Sequence, residues 1–356
     1  MSTTPFRQSM DARSFSAGQS FVSGVKLYWH NDLYPAVRNE YDKKVSLMAD
    51  KPQTPSQVGE VLKDSLLYRY FSWFERHMQR YKYAGRYGLI PWHEQQRTKL
   101  EETLKAPVKA RVELNPELEM PRYYESCDIH QHPGGVWSDT LAGFVYQRAA
   151  STTTPLAGDR HGDMHDRFAD IVRKSAPNPQ RVLEMGCGFG KTTGPIRNEF
   201  PAAEIEAVDL SGPCIQVAAM DVPNVRFRQM NAAETDYPDA HFDVVTSSML
   251  LHEMPPPTVE KTLAEAARVL KPGGKMIHLD FYHFPNPFAR FIHYSHGRRN
   301  NEPFMEPLAE MDLLSLLTRL GFKNISVEPF EESEGALAAE YASWRFPWTV
   351  ISAERA

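Results

Sequence analysis

The chain has 356 residues, 42% hydrophobic and 24% charged, with a formal net charge of −5; this length fits one large domain or two smaller ones, and the composition excludes wholesale disorder. No run of 18 apolar residues occurs, so no integral membrane association is expected, and the opening MSTTPFRQSMDARSFSAGQS lacks the apolar core of a secretory signal. Three cysteines (Cys127, Cys187 and Cys214) are too few for a disulfide framework or a four-cysteine zinc site, so a reduced cytoplasm is expected, and the negative charge argues against a wholly basic nucleic-acid binder.

Residues 1–25 read as a flexible leader. Thr54-Pro55-Ser56 marks a helix start, and Val58, Leu62, Leu66, Tyr70, Phe74, Met78 and Tyr81 then recur every three or four residues. This predicts one long amphipathic helix ending near Gly85, its aromatic face packed on the core. A second, exposed helix is expected around 94–105, and Ser138 opens a third holding Leu141, Phe144, Val145 and Arg148. Charge is uneven: residues 1–150 carry 20 Lys+Arg against 17 Asp+Glu, and 63–111 carry 11 against 5.

Near residue 155 the texture changes to alternating β and α units. Strands are expected at 181–185, 205–209, 225–227, 242–246, 275–279, 325–327 and 348–351. Helices follow Gly190, start at Ser211, span 258–270 before Lys271-Pro272-Gly273-Gly274, and span 308–320 before Gly321. Strands separated by helices imply a doubly wound, mostly parallel α/β sheet of seven strands, with ligands at the strand carboxyl ends. The expected division is a helical extension over 26–155 that caps the substrate, then an α/β domain over 156–356 with a lid insertion at about 281–307.

The segment Val182-Leu183-Glu184-Met185-Gly186-Cys187-Gly188-Phe189-Gly190-Lys191-Thr192-Thr193 carries the chemistry. A phosphate-binding P-loop would need its first glycine at 185, which is Met185. A dinucleotide loop would need its third glycine at 191 or 193, which are Lys191 and Thr193. The pattern present is acid-x-Gly-x-Gly-x-Gly, built on Glu184, Gly186, Gly188 and Gly190. Asp209, at the end of the next strand, could accept hydrogen bonds from two ribose hydroxyls or could be a solvated strand-end acid.

Together with Asn231-Ala232 ahead of Phe242-Asp243, and with Ala267-Arg268-Val269-Leu270-Lys271-Pro272-Gly273-Gly274, these residues resemble the class I S-adenosylmethionine-dependent methyltransferases. The core is most similar to the small-molecule type, such as the ubiquinone/menaquinone-biosynthesis enzymes, and the match covers about 160–356. The resemblance implies a seven-stranded Rossmann-like methyltransferase sheet and S-adenosyl-L-methionine as cofactor, with S-adenosyl-L-homocysteine as product. It implies Glu184 near the cofactor ammonium and Gly186, Cys187, Gly188 and Gly190 around the methionine end. Asp209 and Leu210 would meet the ribose, Asn231 (where the family usually has Asp) and Ala232 the adenine, and Ser247 would border the site after the fourth strand.

For the acceptor side, His252 is the candidate general base, since imidazole titrates near neutral pH; a capping or cofactor-packing histidine is the alternative. Tyr146, Tyr282 and His283 are candidate substrate contacts. His161 with His165, and His130 with His132, raise a metal site, but the first pair lies in a surface helix start, and no metal is expected. The basic, aromatic stretch 68–87 admits an RNA surface, a lipid-facing surface or a packed helix. The function expected is methyl transfer to an oxygen or carbon nucleophile of a small aromatic, quinone-like or lipid-like metabolite. The alternatives are an RNA methyltransferase and a cofactor-binding protein without methyl transfer. Met254-Pro255-Pro256-Pro257 lacks the amide and ring of an amino-base signature. The partner expected is a small-molecule acceptor rather than nucleic acid; oligomeric state is open, with a homodimer among the options.

Overall fold

The computed structural model describes residues 9–150, 160–338 and 344–356. The N-terminal part folds as α1 (Ala12–Tyr28), a π-helical stretch (Trp29–Leu33), α2 (Tyr34–Ser46), α3 (Pro55–Leu62), α4 (Leu66–Ala84), α5 (Leu89–Glu94), α6 (Arg97–Leu104), β1 (Arg111–Glu113), α7 (Arg122–Glu125) and α8 (Ala142–Ala150). The α/β part follows as α9 (Arg160–Ser175), β2 (Arg181–Met185), α10 (Thr193–Glu199), β3 (Glu204–Asp209), α11 (Gly212–Asp221), β4 (Arg226–Gln229), β5 (Phe242–Ser248), α12 (Pro256–Val269) and β6 (Leu270–Phe281). It closes with α13 (Pro287–Asn300), α14 (Met305–Ala309), α15 (Leu313–Arg319), β7 (Phe322–Pro329) and β8 (Trp348–Arg355).

The sheet order is β1-β4-β3-β2-β5-β6-β8-β7. Only β8 runs antiparallel to its neighbours. β2 and β5 are buried along nearly their whole length, on both faces, as parallel strands covered by helices must be. This is the doubly wound sheet expected, with one strand more. Arg111, Val112 and Glu113 pair with Arg226, Phe227 and Arg228 as β1, at the edge of the sheet. Three residues are too few to show a period-two pattern in sequence.

Other elements depart from expectation. Residues 12–28 are helical rather than loose: Asp11 caps the helix through the Ser14 N–H, and Phe15 and Val22 are buried; the boundary expected at 155 lies outside the described residues. The single helix expected after Thr54 is two. Thr54 and Gln57 form a capping box for α3, and Ser65 starts α4 afresh, its hydroxyl accepting from the Tyr68 N–H at 3.0 Å. The break resets the buried face. Leu66, Tyr70 and Trp73 point to solvent (64%, 53% and 51% exposed), while Phe71, Glu75, Gln79, Lys82 and Tyr83 face inward. The helix expected over 308–320 is likewise split, because Asp312 caps α15 through the Ser315 N–H.

One hydrophobic cluster runs from Trp29, Val37, Val58, Leu62 and Phe71 through Phe168, Val182, Phe227, Val244 and Ile277 to Phe288 and Trp348. The N-terminal helices and one face of the sheet therefore share a core.

Candidate active site

A cavity of about 200 Å³ opens where β2, β3, β5 and β6 end. Its floor is the loop after β2. Gly186, Gly188 and Gly190 all have positive φ, a region open at low cost only to glycine. A Cβ on Gly188 would meet only Tyr146, at 3.9 Å, so this backbone is bare toward the cavity, whereas one on Gly190 would sit 3.0 Å from Ala218. Gly190 packs the loop on α11 and is not part of the cavity wall.

Asp209 lines the cavity and holds it together. Its Oδ2 accepts from the Gly188 N–H and its Oδ1 from the Ser211 N–H, both at 2.8 Å. Burial raises its carboxyl and these donors oppose the rise. Glu184 is 1% exposed, and its Oε2 has no hydrogen-bond partner. Burial pushes its carboxyl up to about 8, so a cation arriving there would restore its charge. Leu210, Asn231 and Ala232 also line the cavity, with the Asn231 side-chain oxygen accepting from the Ala233 N–H at 2.9 Å. Cys187 is in the wall as well, but burial raises its thiol well above the ordinary value, which removes its nucleophilic form. Ser247 is turned away, its hydroxyl 2.6 Å from His278 Nδ1; the next residue along the pleat, Ser248, faces the cavity.

The opposite wall is aromatic: Tyr123, Tyr124 and Tyr146 from the N-terminal part meet Phe281, Phe346 and Trp348 from the strand ends. Burial raises all three phenols, Tyr123 to about 12, so they remain neutral donors. Tyr282 and His283 are not in this wall. The Tyr282 hydroxyl donates to the Met311 carbonyl at 2.5 Å. His283 lines a separate cavity of about 100 Å³ on the far side of Phe346 and Trp348.

The polar end of the cavity is a row of alternating acids and imidazoles. His252 Nδ1 lies 2.6 Å from Asp280 Oδ1, and its Nε2 3.5 Å from Glu253 Oε1. Burial alone would lower this imidazole, but Asp280 and Glu253 outweigh it and hold the ring well above its ordinary value. Both ring nitrogens of His252 thus face carboxylates, which favour its cationic form over a free base. The same Glu253 oxygen is 3.0 Å from His130 Nε2, and His130 Nδ1 is 3.0 Å from Glu302 Oε1. His130 too resists burial and is raised to about 10 by the two carboxylates, which keep Glu253 in turn well below its usual value. His130 stacks against Tyr146 and has a left-handed backbone, φ 56°. Such strain in a non-glycine residue concentrates at functional sites.

His130 was visible in sequence only as half of a spaced histidine pair, and Glu253 and Glu302 carried no signal. Its neighbour His132 is outside the wall, edge-on to Tyr83 and lowered to about 4 by burial. His165 lines the cavity, with Nδ1 2.8 Å from the Thr192 hydroxyl; the side chain of His161 lies outside the described residues. Among the described residues, no group of three or more His, Cys, Asp or Glu is arranged to hold a metal ion.

A family profile described as a methyltransferase domain matches residues 182–274, the span from β2 to the turn inside β6. This span is a methyltransferase domain, similar to that of the class I S-adenosylmethionine-dependent enzymes. Relatives of the chain include an uncharacterized methyltransferase of Synechocystis, 31% identical over 40% of this chain and 66% of that protein. A demethylmenaquinone methyltransferase of Thermus thermophilus is 30% identical over 32% of this chain and 52% of its own. An O-methyltransferase of Penicillium expansum is 29% identical over 58% and 75%. The chain thus spans between about half and three quarters of these curated relatives. Among solved structures, a methyltransferase of Bacillus halodurans described as putative is 20% identical with a TM-score of 0.42, covering 53% of this chain and 98% of that one. The cavity fits the cofactor of such domains on its own chemistry: a partnerless buried carboxyl oxygen at Glu184, bare backbone at Gly188 and an acid at Asp209 meet in one space.

Proposed function

We propose that the protein methylates a small acceptor held between the strand ends and the N-terminal helices. The observation that carries this reading is a single cavity with two unlike halves, a glycine-and-acid floor and an aromatic wall closed by Tyr123, Tyr124 and Tyr146. Bound S-adenosylmethionine supplies a sulfonium methyl open to attack by a nucleophile. Glu184 would hold the ammonium, the bare backbone at Gly188 the methionine end, Asp209 and Leu210 the ribose, and Asn231 and Ala232 the adenine.

The aromatic wall excludes water and offers flat apolar surface, which suits an aromatic or quinone-like ring. Relatives named for menaquinone precursors and for O-methylation support an oxygen or carbon nucleophile on such a ring. The polar end narrows the choice. Their carboxylate neighbours favour the cationic forms of His252 and His130, and the carboxylate the two share is held well below its usual value, a weak base. The site therefore orients a hydroxyl through Glu253 rather than stripping a reluctant proton, and an acceptor that is already phenolic or enolic needs no stronger base.

The RNA reading loses support because α4, which carries the basic aromatic stretch, contributes no residue to the cavity. Incubation of the full chain with methyl-labelled cofactor and a panel of hydroquinones and phenols tests the proposal. Label in the organic fraction, lost in Gly188→Val, is the expected result. Cofactor binding without label transfer to this panel would overturn the acceptor class, and failure to bind the cofactor would overturn the whole reading.

A further inference from the structure

Helix α4 packs Leu67, Tyr68, Phe71 and Phe74 against the core yet carries large apolar side chains on its outward face as well. Its inward face carries Glu75, Gln79 and Lys82 beside Phe71 and Tyr83. Its outward face carries Leu66, Tyr70, Trp73, His77 and Tyr81, which at spacings of four, three, four and four residues form one stripe along the helix. At 1.5 Å per residue the stripe is about 22 Å long. Trp73 lies flat against His77, with ring centroids 4.4 Å apart. Neighbouring α1, which packs against α4, has exposed Phe21, Leu27 and Tyr28 of its own. Exposed apolar side chains grouped in this way mark an interaction surface.

The charges say what kind. Arg69, Arg76 and Arg80 flank the stripe, and all three are exposed. The only acid in α4 is Glu75, which is turned inward to Arg299, His296 and Asn300. Just before the helix, Asp64 pairs with Arg69 at 3.7 Å, leaving the outward face of the helix itself without a carboxylate. A second copy meeting this face about a two-fold axis would bring arginines against arginines, with Arg76 and Arg80 facing no carboxylate from α4 itself. An RNA strand would supply the charge, but bases need a groove to track, and a lone convex helix offers none.

We infer that the α4 face is a docking surface for an anionic phospholipid membrane, with Trp73, Tyr70 and Tyr81 at headgroup depth and the arginines on lipid phosphates. Aromatic rings beside a cationic flank are the chemistry of a helix lying in a bilayer interface. This is attachment from one side: among the described residues no helix is long and apolar enough to cross a membrane. The inference is independent of the reaction, since α4 does not reach the cavity.

Flotation of the full-length protein with phosphatidylcholine vesicles, and with mixed phosphatidylcholine–phosphatidylglycerol vesicles, tests it. Partitioning into the anionic vesicles that weakens with salt is expected. Arg69→Gln and Arg80→Gln should each reduce it about fivefold, and Tyr70→Ser combined with Trp73→Ser should abolish it. These residues are exposed, so circular dichroism and cofactor affinity should match the unaltered protein. Flotation with neither vesicle, or flotation unchanged in all the variants, would overturn the inference. So would concentration-dependent dimerisation, or binding to single-stranded RNA, that replaces lipid binding and disappears in the same variants.

Discussion

Asp209 serves the site twice. Its carboxylate closes the loop after β2 by accepting the Gly188 N–H, and it stands in the cavity where ribose hydroxyls would donate to it. Asp209→Ala is expected to weaken S-adenosylmethionine binding by at least tenfold, because charged hydrogen bonds of roughly 1.5–3 kcal/mol are lost; titration calorimetry on the folded variant checks this. His130 gives a pH-dependent expectation. Its cationic form gains Glu253 and Glu302 on folding, so its contribution is complete below about pH 6.5, the ordinary imidazole value, and fades as pH rises toward 10. His130→Gln should therefore cost about 3–5 kcal/mol near pH 6, and the difference from the unaltered protein should shrink by pH 10. Denaturant unfolding at the two pH values measures it, and a pH-independent difference would contradict the assignment. Glu184, the glycines and Asp209 were legible because the loop that joins them is local. His130 was not, since its partner Glu302 lies 172 residues away and its left-handed backbone has no sequence signature in a histidine.

Among elements, the break between α3 and α4 matters most. The apolar spacing continues through residues 63–65 without interruption, so periodicity alone merges the two helices. Ser65 decides otherwise, accepting from the Tyr68 N–H while donating to Glu40 Oε2 at 2.8 Å. Ser65→Ala should cost about 1–2 kcal/mol by thermal or denaturant unfolding, with cofactor affinity unchanged because α4 contributes no residue to the cavity wall. The inward face of α4 was illegible for a related reason. Glu75 and Lys82 read as solvent-facing until their surroundings are known, and for Glu75 those lie more than 200 residues away at His296, Arg299 and Asn300. At the carboxyl ends of β5 and β6 the residues were assigned one position off, Ser247 for Ser248 and Tyr282 for Phe281. A strand's pleat fixes which neighbour faces a cavity, and sequence does not say which face that is.

At the scale of the whole molecule, the doubly wound core was legible from strand–helix alternation, whereas the union of the N-terminal part with it was not. Their shared hydrophobic cluster and the strand β1 make them one unit. A chain shortened to begin at residue 156 should therefore aggregate, because it bares the edge of β4 and the apolar surface under α1–α4. Light scattering distinguishes this from a monodisperse, cofactor-binding core, which would show the two parts to be separable. The strand also sets an order of events during synthesis. Arg111 to Glu113 can pair only after Arg226 to Arg228 have left the ribosome, and the Glu113 carboxylate waits for the guanidinium groups of Arg226 and Arg228. His130 waits longer still, for Glu253 and then Glu302. Residues 111–130 are thus completed only after segments far downstream of them, and the cavity acquires its full aromatic wall only once Phe346 and Trp348 have been made.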